Sequence, residues 1–404
     1  MKIAVVGAGA AGLFVAGELA NKGFETTLFD KNEKVGKKLF ITGKGRCNLT
    51  NLCMPEEFLQ NVVRGDKFLK SALFNFNSFD AVDFFENLGL KTKVERGNRV
   101  FPESDKSSDV IKALQKHCKN VNIKLDTEVS DIFEKNGRFV VVANNSNFEF
   151  DKIIIATGGK SYSGTGSDGF GYKIAKKFGH EIVNVVPALC PIKLKDRFVK
   201  ELQGVSLKNV QLNVVADGKK SSYFGEMMFT DCGITGPIVL TASSYINRAK
   251  DVGITLDFKP ALSREQLDAR LLRDFSENKN KDLKNVLKGL LPKAVADIFA
   301  KVAKVDENKK NNSVTKEERT KILQTLKNFP LQFDGLYDLN AAIVTSGGVS
   351  LKEINPKTFE SKLKSGIYFI GEVLDLDALT GGFNLQIAWA TAHSCAENLI
   401  KEML

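Results

Sequence analysis

Three glycines near the N-terminus have the spacing of a phosphate-binding turn. Gly7, Gly9 and Gly12 follow an apolar segment, residues 2–6, and precede an amphipathic segment, residues 13–22. In a strand–turn–helix unit, Gly7 permits the tight turn, Gly9 lets a pyrophosphate approach the backbone, and Gly12 lets the helix pack closely on the strand. The helix N-terminus then offers free amides and a positive dipole to the anion. The spacing predicts a dinucleotide site.

An acid in the expected place strengthens this prediction. Asp30 lies 18 residues after Gly12 and directly follows the predicted strand 25–29. A carboxylate there can accept hydrogen bonds from a ribose diol, and it disfavours a 2′-phosphate. Strand, helix, second strand and acid therefore follow one another in the order of a βαβ unit.

A basic, glycine-rich segment, residues 36–48, comes soon after this acid. We interpret it as a loop whose donors lie along the pyrophosphate and ribityl chain of a long cofactor. Lys38, Arg46 and the backbone amides near Gly43 and Gly45 would supply those donors. This second set of donors favours FAD over NAD.

The C-terminal part of the chain repeats a strand–glycine–helix arrangement in residues 371–375 and 381–386. Its helix N-terminus would stabilise negative charge on the N1/O2 side of a reduced flavin, and Asp375 would accept from a ribityl hydroxyl. The alternative is a plain glycine loop before an amphipathic helix, with Asp375 as a helix cap. Since no second GxGxxG occurs, NAD(P)H is expected only as an external reductant.

Cys47, in the basic segment, is the candidate catalytic residue, and three roles are open to it. Its thiol could protonate a substrate carbon or form an adduct. It could also form a disulfide with Cys53, as in a disulfide reductase, or pack the loop as a small buried thiol. The histidines His117, His180 and His393 stand alone in the sequence, so we expect them to be packing or surface residues.

The elements that position these residues predict an α/β fold with a Rossmann-type FAD-binding domain, a three-layer ββα arrangement. Residues 1–186 and 361–404 are expected to form that domain. The continuous apolar run 152–156 precedes Thr157 and Gly158, which is typical of a buried parallel strand entering a glycine turn.

The middle of the chain predicts two inserts in this domain. Short alternating segments indicate an inserted antiparallel, β-barrel-like domain formed by residues 187–260 and 331–360. Residues 261–330 have a helical period and indicate a helical insert.

Composition excludes several classes of protein. The chain has 404 residues, 43% hydrophobic and 26% charged, without an apolar run long enough to cross a bilayer. Glycines interrupt the one N-terminal stretch that could pass for a signal peptide. Six scattered cysteines show neither a disulfide framework nor zinc spacing, so no metal site is expected. These features predict a cytoplasmic protein with reduced thiols and no membrane partner.

The formal net charge of +10 is concentrated in the middle of the chain. Residues 187–350 hold 26 Lys and Arg against 19 Asp and Glu, and residues 260–330 alone hold 16 against 10. Either this is a solvated lysine-rich surface, or it binds a polyanion such as RNA through release of counterions. Nothing indicates DNA as a partner, and the oligomeric state is left open.

Four segments together resemble a known bacterial family over essentially the whole chain. GKKLFITGKGRCNLTN (36–51), FTDCGITGP (229–237), TSGGV (345–349) and GEVLDLDALTGGFNLQIAWATAHSCAENL (371–399) are similar to the FAD-dependent oxidoreductases called BaiN-like, YhiN-like or aminoacetone-oxidase-like. The resemblance implies an FAD domain with a β-barrel-like and a helical insert. It also implies that FAD is held by residues at the matching positions or their neighbours: Gly7, Gly9, Ala10, Ala11, Gly12, Asp30, Lys31, Lys38, Gly43, Gly45, Arg46, Cys47, Asn48, Val129, Thr157, Gly158, Gly371, Glu372, Asp375, Gly382, Phe383 and Asn384.

The sequence departs from the family at three positions. Asp30 stands where many relatives have Glu, Lys44 takes a place often held by glycine, and Asp231 matches one branch while Gly236-Pro237 resembles another. This mixture weakens the transfer of a substrate from either branch.

The family resemblance implies several activities. They are reduction of uridine to dihydrouridine in large-subunit ribosomal RNA, reduction of a steroid-like enone, and oxidation of a small amine such as aminoacetone. The basic insert favours RNA and therefore the first activity. A flavin-bearing RNA- or ribosome-binding factor without catalysis is a further alternative.

Overall fold

The computed structural model describes residues 1–402, and the chain divides into two compact units. The first unit consists of Met1–Ala188 together with the chain from Leu339 onward, and the second unit is Leu189–Asp338. Each unit has its own hydrophobic core.

The first unit begins with the predicted βαβ unit, formed by β1 (Lys2–Val6), α1 (Ala10–Asn21) and β2 (Glu25–Phe29). Its further elements up to residue 188 are, in order, α2 (Lys37–Gly45), β3 (Thr50–Asn51), α3 (Pro55–Leu59), β4 (Val62–Arg64), α4 (Asp66–Asn75), α5 (Ser78–Asn87), β5 (Thr92–Glu95), β6 (Arg99–Pro102), α6 (Ser107–His117), β7 (Asn122–Lys124), β8 (Val129–Lys135), β9 (Arg138–Ala143), β10 (Ser146–Phe150), β11 (Lys152–Ile155), α7 (Phe170–Lys177) and β12 (Ile182–Ala188).

The second unit alternates short strands with helices, and the chain then returns to the first unit. The elements of the second unit are β13 (Ile192–Leu194), β14 (Ser206–Ala216), β15 (Lys219–Phe229), β16 (Gly233–Thr235), α8 (Pro237–Ile246), β17 (Val252–Asp257), α9 (Arg264–Glu277), α10 (Leu283–Leu290), α11 (Lys293–Ala303), α12 (Lys316–Lys327), β18 (Phe329–Leu331) and β19 (Phe333–Leu336). The first unit resumes with β20 (Val344–Val349), β21 (Ile367–Phe369), β22 (Asp377–Ala378) and α13 (Phe383–Lys401).

A parallel sheet of five strands forms the centre of the first unit, in the order β21-β11-β1-β2-β7. The predicted buried strand β11 carries Ile153, Ile154 and Ile155 without any exposed surface. Because the strands are parallel, the residues that follow them meet at one edge of the sheet. The turns after β1, β2, β11 and β21 are therefore brought together.

Two layers cover this sheet. Helices α1 and α13 pack on each other, with the rings of Phe14 and Trp389 5.9 Å apart. The antiparallel meander β8–β10 packs on the sheet through Phe148 and Phe150, whose rings lie 5.5 and 5.9 Å from that of Phe29. The prediction of a Rossmann-type domain with a parallel sheet is confirmed.

The second unit contains an antiparallel sheet of seven strands, in the order β18-β17-β14-β15-β16-β13-β19. Its edge strands β18 and β19 are separated in the chain by Gln332 alone. The sheet must therefore curve until its two edges approach each other, which gives it the predicted barrel-like character.

The helical insert does not have a core of its own. Phe299 on α11 packs on Phe329 of β18 and on Phe258, with ring centroids 6.2 and 6.5 Å apart. Helices and sheet share one apolar cluster, so residues 189–338 form one unit where the sequence predicted two inserts.

The C-terminal boundary of the insert also differs from the prediction. The sequence assigned residues 331–360 to the β insert, but those from 339 onward belong to the first unit. The reason is that β20 pairs antiparallel with β12, in a register that places Val349 opposite Ile182 and Val344 opposite Ala188. Within residues 1–402, none of the helices combines the length and apolar character needed to cross a bilayer.

Candidate functional site

The glycine turn after β1 is tightly packed at two positions and open at the third. Gly7 has φ +106°, and a Cβ there would lie 2.6 Å from the carbonyl oxygen of Ala156. A Cβ on Gly12 would lie 1.8 Å from the carbonyl oxygen of Gly7. A Cβ on Gly9 would meet no atom of the described residues within 4 Å. Gly7 and Gly12 are thus required by the fold, whereas Gly9 keeps space open above the N-terminus of α1.

Asp30 braces this turn. One carboxylate oxygen accepts from the backbone N–H of Ala8 at 2.7 Å, and the other accepts from the backbone and side-chain N–H groups of Asn32, both at 2.8 Å. An ionised carboxylate has about four acceptor positions, so one position is left for a ribose hydroxyl. These hydrogen bonds from Ala8 and Asn32 to Asp30 were not predicted from the sequence.

The basic segment predicted as a loop begins as a helix. Helix α2 is interrupted at Thr42, which is extended, and the chain then takes positive φ angles at Gly43, Lys44, Gly45 and Cys47. Lys44 adopts φ +59° without being a glycine. Gly43 and Gly45 adopt these left-handed angles with little conformational strain, because glycine has no Cβ.

Arg46 contacts acids of its own chain. Its Nε donates to Asp105 at 2.7 Å, its guanidinium also bonds Glu95, and its Cζ lies 4.2 Å above the ring of Phe101. Hydrogen bonds to Glu95 and Asp105 raise the pKa of Arg46. Two acids distant in sequence thus already accept from the Arg46 guanidinium, and its donation to a cofactor stays a prediction.

Lys38 is likewise paired, at the centre of a polar cluster that we call the Lys38–Glu372 cluster. Its Nζ donates to Glu372 and to the buried Ser161 hydroxyl, both at 2.7 Å. Glu372 also accepts from the Thr345 backbone N–H at 2.8 Å, and the Thr345 hydroxyl accepts from the backbone N–H groups of residues 160 and 161. This cluster ties α2, the turn after β11, β20 and the turn after β21 together.

Lys31, the third predicted cation, pairs with Asp168 at 2.5 Å. All three predicted cations have acidic partners, and backbone amides are further donors that this edge of the sheet offers to an anion. The N-terminus of α1 supplies such amides, and the positive end of its dipole points the same way.

The Cys47 thiol is wholly buried in the apolar core of the first unit. Burial raises its pKa to about 12, partly offset by a hydrogen bond with Thr42. Cys53 is also a free, buried thiol, with a pKa raised to about 11 by burial first and by Glu57 second. A thiol that holds its proton so firmly is a poor acid and a poor nucleophile, so the packing role is favoured.

The second predicted helix N-terminus follows two glycines with left-handed φ angles, Gly381 and Gly382. A Cβ on Gly382 would lie 2.4 Å from the backbone of Thr50, so the α13 N-terminus can sit against β3 only with glycine there. Asn384 exchanges hydrogen bonds with the backbone of Ala378 at 3.0 and 2.8 Å. Within the described chain, no side chain caps the first amides of α13.

Buried oxygens without a hydrogen-bond partner mark the space between these turns. Asn48 Oδ1, Thr157 Oγ1 and the Tyr172 hydroxyl are buried and bond no other group in residues 1–402. Burial, together with Glu372 and Asp375, raises the pKa of Tyr172. Buried polar atoms are rarely left unsatisfied. Two of the three belong to residues predicted to hold the cofactor, so the chemistry of the site fits a bound polar group.

A cavity of about 440 Å³ lies beside the turn after β2. Val129, predicted to hold the cofactor, is buried at the start of β8, next to a residue that lines this cavity. The lining residues are Lys31, Asn32, Asp126, Glu128, Asn144, Ser163, Gly164 and Gly166.

The second unit has a separate polar cluster around Thr230 and Asp231. The Tyr337 hydroxyl lies 3.3 Å from Thr230 Oγ1 and 3.5 Å from Asp231 Oδ1, and Lys193 Nζ lies 5.4 Å from the centre of the tyrosine ring. Burial is the first cause of the raised pKa of Tyr337. Asp231 thus has a neighbouring hydroxyl within the second unit.

Sequence reasoning missed Ser161, Thr345 and Tyr172, although the motif TSGGV contains Thr345. Their roles depend on long-range contacts, such as the bond between Thr345 and residue 161. The only signal in the sequence was the glycine-rich composition around residues 157–169 and 345–348.

The parallel sheet and the glycine turns at its carboxyl edge define a Rossmann-type FAD-binding domain in an oxidoreductase. Residues 1–398 match the family described as HI0933-like protein Rossmann domain. The chain belongs to this HI0933-like Rossmann family.

Curated relatives span the same length. The chain is 32% identical to the ribosomal RNA dihydrouridine synthase of Haemophilus influenzae over 407 residues, which is 98% of each chain. It is 32% identical to the enzyme of that name from Escherichia coli, covering 98% of this chain and 97% of the other. It is 29% identical to the 3-dehydro-bile acid delta(4,6)-reductase of Clostridium scindens, covering 97% of both.

Solved structures share the fold at lower identity. The 3-ketosteroid-delta4-(5alpha)-dehydrogenase of Rhodococcus jostii RHA1, in complex with 4-androstene-3,17-dione, superposes with a TM-score of 0.50 at 13% identity, covering 98% of this chain and 97% of that one. The E. coli quinol fumarate reductase FrdA gives 0.50 at 15% identity, covering 99% and 70%.

Proposed function

We propose that the first unit binds FAD along the carboxyl edge of its sheet, and that the enzyme reduces uridine in large-subunit ribosomal RNA to dihydrouridine. The open space above Gly9, between the tightly packed Gly7 and Gly12, is the observation that carries the cofactor part. The substrate part is supported by two full-length relatives named ribosomal RNA dihydrouridine synthase.

The amides that follow Gly9, those of Ala10 and Ala11, bind the pyrophosphate in this proposal. Asp30 has one acceptor position left for the ribose, and the cavity beside it takes the adenosine end. The unsatisfied oxygens of Asn48 and Thr157 bond the middle of the cofactor. The whole set proposed to line FAD is Gly7, Gly9, Ala10, Ala11, Gly12, Asp30, Lys31, Lys38, Gly43, Gly45, Arg46, Cys47, Asn48, Val129, Thr157, Gly158, Gly371, Glu372, Asp375, Gly382, Phe383 and Asn384.

Lys31, Lys38 and Arg46 take an indirect part in this proposal. Each is paired with an acid, so it positions the segment that carries it and does not neutralise phosphate. The uncapped N-terminus of α13 would stabilise negative charge on the flavin ring through the positive end of its dipole.

FAD, once bound and reduced by an external donor such as NAD(P)H, would supply a hydride to C6 of the uracil ring. The C5=C6 bond is electron-poor because it is conjugated to the C4 carbonyl, and the reaction is completed by a proton at C5. Proton donation is one of the three roles that the sequence leaves open for Cys47. Because its thiol is fully buried and its pKa is raised to about 12, that role needs a direct test.

Two measurements test the proposal. The absorption spectrum of the purified protein should show bound flavin. Mass spectrometry of ribosomal RNA from a deletion strain should show a loss of dihydrouridine that wild type restores and Gly9→Ala does not. Ribosomal dihydrouridine that persists undiminished in the deletion strain contradicts the substrate assignment, and a colourless protein that takes up no flavin contradicts the cofactor assignment.

The similarity to the bile acid reductase favours a second candidate, reduction of a steroid-like enone. Both reactions add a hydride to a carbon–carbon double bond conjugated to a carbonyl group. Consumption of a 3-keto-Δ4 steroid by the reduced enzyme, with intact ribosomal dihydrouridine in the deletion strain, would support this candidate instead.

A further inference from the structure

Two loops of the second unit are joined into a single rigid tip. The loop between α9 and α10 with the first two residues of α10, residues 278–284, runs beside residues 306–313 of the loop between α11 and α12. The Leu283 N–H donates to the carbonyl of Lys309 at 2.8 Å, and the Asn311 N–H donates to that of Lys281 at 3.1 Å. We call these two loops the lysine tip.

A buried asparagine holds the lysine tip from inside. Asn311 has only 3% of its surface exposed, and its Nδ2 donates to the backbone carbonyls of Asn278 and Lys281, both at 2.9 Å. Asp282 and Lys310 also form an isolated antiparallel bridge. Backbone bonds and this amide therefore fix the positions from which the exposed side chains extend.

The lysine tip carries five lysines and five asparagines against three acids. Lys310 pairs with Asp282 at 2.8 Å, and Lys309 pairs with Glu318 on α12 at 2.9 Å. Lys279 and Lys281 are exposed, and no carboxylate of residues 1–402 lies within 4.0 Å of either amine. The positive charge of these two lysines is thus available to a partner.

The side chains of the lysine tip suit a polyanionic partner that also carries hydroxyl groups. Its lysines suit phosphates, and its amides donate and accept hydrogen bonds as a ribose 2′-hydroxyl does. The two loops contain no aromatic residue, so stacking on unpaired bases is not available to them. Such a surface suits the sugar–phosphate backbone of a folded RNA better than stacking on its unpaired bases.

We propose that the lysine tip is an RNA-docking surface that binds the sugar–phosphate backbone of the ribosomal RNA substrate, with Lys279 and Lys281 as its main phosphate ligands. This inference rests on the proposed function, and it adds the place on the chain where the RNA is held. Because the tip is already rigid, little conformational entropy is lost when it binds.

The experiment compares two double variants of the FAD-loaded, full-length protein, K279E/K281E and K293E/K321E. Both change the charge equally, and all four lysines are exposed and lack a carboxylate partner in the described chain. Both control positions lie outside the two loops, with Lys321 about one helical turn beyond Glu318, the partner of Lys309. Lys293 begins α11 at the opposite end of α10, about 12 Å along that helix, and Lys321 lies in the second turn of α12. Binding to large-subunit ribosomal RNA from the deletion strain is measured at several salt concentrations, with flavin content and thermal stability checked for each variant.

We expect K279E/K281E to weaken RNA binding by about tenfold or more, and to reduce the slope of log K against log salt by about one for each phosphate that the variant no longer neutralises. The control variant should keep a slope close to that of wild type. Equal weakening by both variants would show that only overall charge matters, and wild-type binding by K279E/K281E would overturn the docking surface directly.

The outcomes separate this inference from the proposed function. If wild type restores ribosomal dihydrouridine in the deletion strain and K279E/K281E restores it equally while binding RNA normally, the lysine tip is refuted and the proposed function stands. If flavin is bound but wild type neither binds nor modifies RNA, both fail. If wild type binds anionic phosphatidylserine vesicles but not RNA, and K279E/K281E weakens this binding, the partner of the lysine tip is a membrane surface and the RNA-docking proposal is refuted.

Discussion

At the scale of single residues, Cys47 is the position where chemical type and environment conflict. The sequence places a thiol next to the expected flavin, but the structure buries it completely at φ +59° beside Thr42. Its type suggested chemistry, whereas its surroundings are those of a core residue. The sequence did not predict this burial, because the apolar core that contains Cys47 is assembled from segments far apart in the chain.

We expect Cys47→Ala to lower the free energy of unfolding by about 1–2 kcal/mol, since it leaves a small void in a packed core. The rate of substrate reduction should remain that of wild type once FAD is bound. Chemical denaturation and steady-state kinetics measure the two effects. A loss of about a hundredfold or more in kcat with normal flavin content would instead establish the thiol as the acid.

His180 makes stability depend on pH. Its side chain is fully buried between Glu353 and Ser361, at 3.0 and 2.8 Å, and burial lowers its pKa although Glu353 opposes the shift. A histidine with a lowered folded pKa takes up its proton more readily in the unfolded chain. Its contribution to stability is therefore present above the unfolded pKa of about 6.5 and is lost as the pH falls.

Denaturation of wild type between about pH 7.5 and pH 5.5 should thus show falling stability, and His180→Gln should flatten this dependence. His393 is the control, since burial lowers its pKa, but the hydrogen bond to Glu18 and the negative charges of Glu18, Glu397 and Asp80 together outweigh burial and raise the net pKa. Its contribution is present at low pH and lost as the pH rises, so His393→Gln should make the acid-side fall steeper. The same slope in wild type and His180→Gln would rule out this role of His180.

At the scale of elements, the glycine turn separates residues needed by the fold from a residue needed by the ligand. Gly12 has no room for a Cβ, whereas Gly9 has open space and an extended backbone, φ −83° and ψ −165°, that alanine also adopts. The same motif therefore serves two purposes at positions three residues apart.

Gly12→Ala should lower the free energy of unfolding by about 3 kcal/mol or more through the clash with the Gly7 carbonyl. Gly9→Ala should change it by less than about 1 kcal/mol without FAD, because a weaker helix cap is offset by lower entropy of the unfolded chain. It should nevertheless lose most of its bound flavin. Thermal melts of the apoproteins and FAD titration measure these effects, and full flavin binding by Gly9→Ala would refute the assigned approach to the backbone.

The sequence predicted these elements well where short-range pattern decides them. The βαβ unit and the buried strand within residues 152–156 both occur, because their periodicity and glycines lie within one segment. Residues 36–48 were predicted as a loop of free donors, but they begin as a helix, and Arg46 is satisfied by Glu95 and Asp105. Partners of this kind lie about fifty residues away, so spacing alone cannot reveal them.

At the scale of the whole molecule, two hydrophobic cores share one chain. The single tryptophan, Trp389, is fully buried in the core of the first unit. The boundary at residue 339 could not be predicted from composition, because β20 follows the short strands of the second unit along the chain. Its pairing with β12 assigns it to the first unit.

Thermal unfolding should therefore proceed in two steps, and FAD should raise only one of them. With FAD at 100 times its Kd, the first unit gains about 2.7 kcal/mol. Tryptophan fluorescence follows this unit alone, while circular dichroism follows both. An FAD-insensitive second transition in the dichroism is expected, and coincident transitions by both probes, shifted together by FAD, would contradict independent cores.

The two ends of the second unit lie side by side, since the Tyr337 N–H donates to the carbonyl of Pro191 at 3.1 Å. A segment that leaves and re-enters a chain at nearly one point can be gained or exchanged by a single recombination event without rethreading the host. We therefore expect the first unit to have distant cousins in which unrelated modules occupy this junction. In such a lineage, replacement of the inserted unit would bring new substrates, while the cofactor chemistry of the first unit would be inherited unchanged.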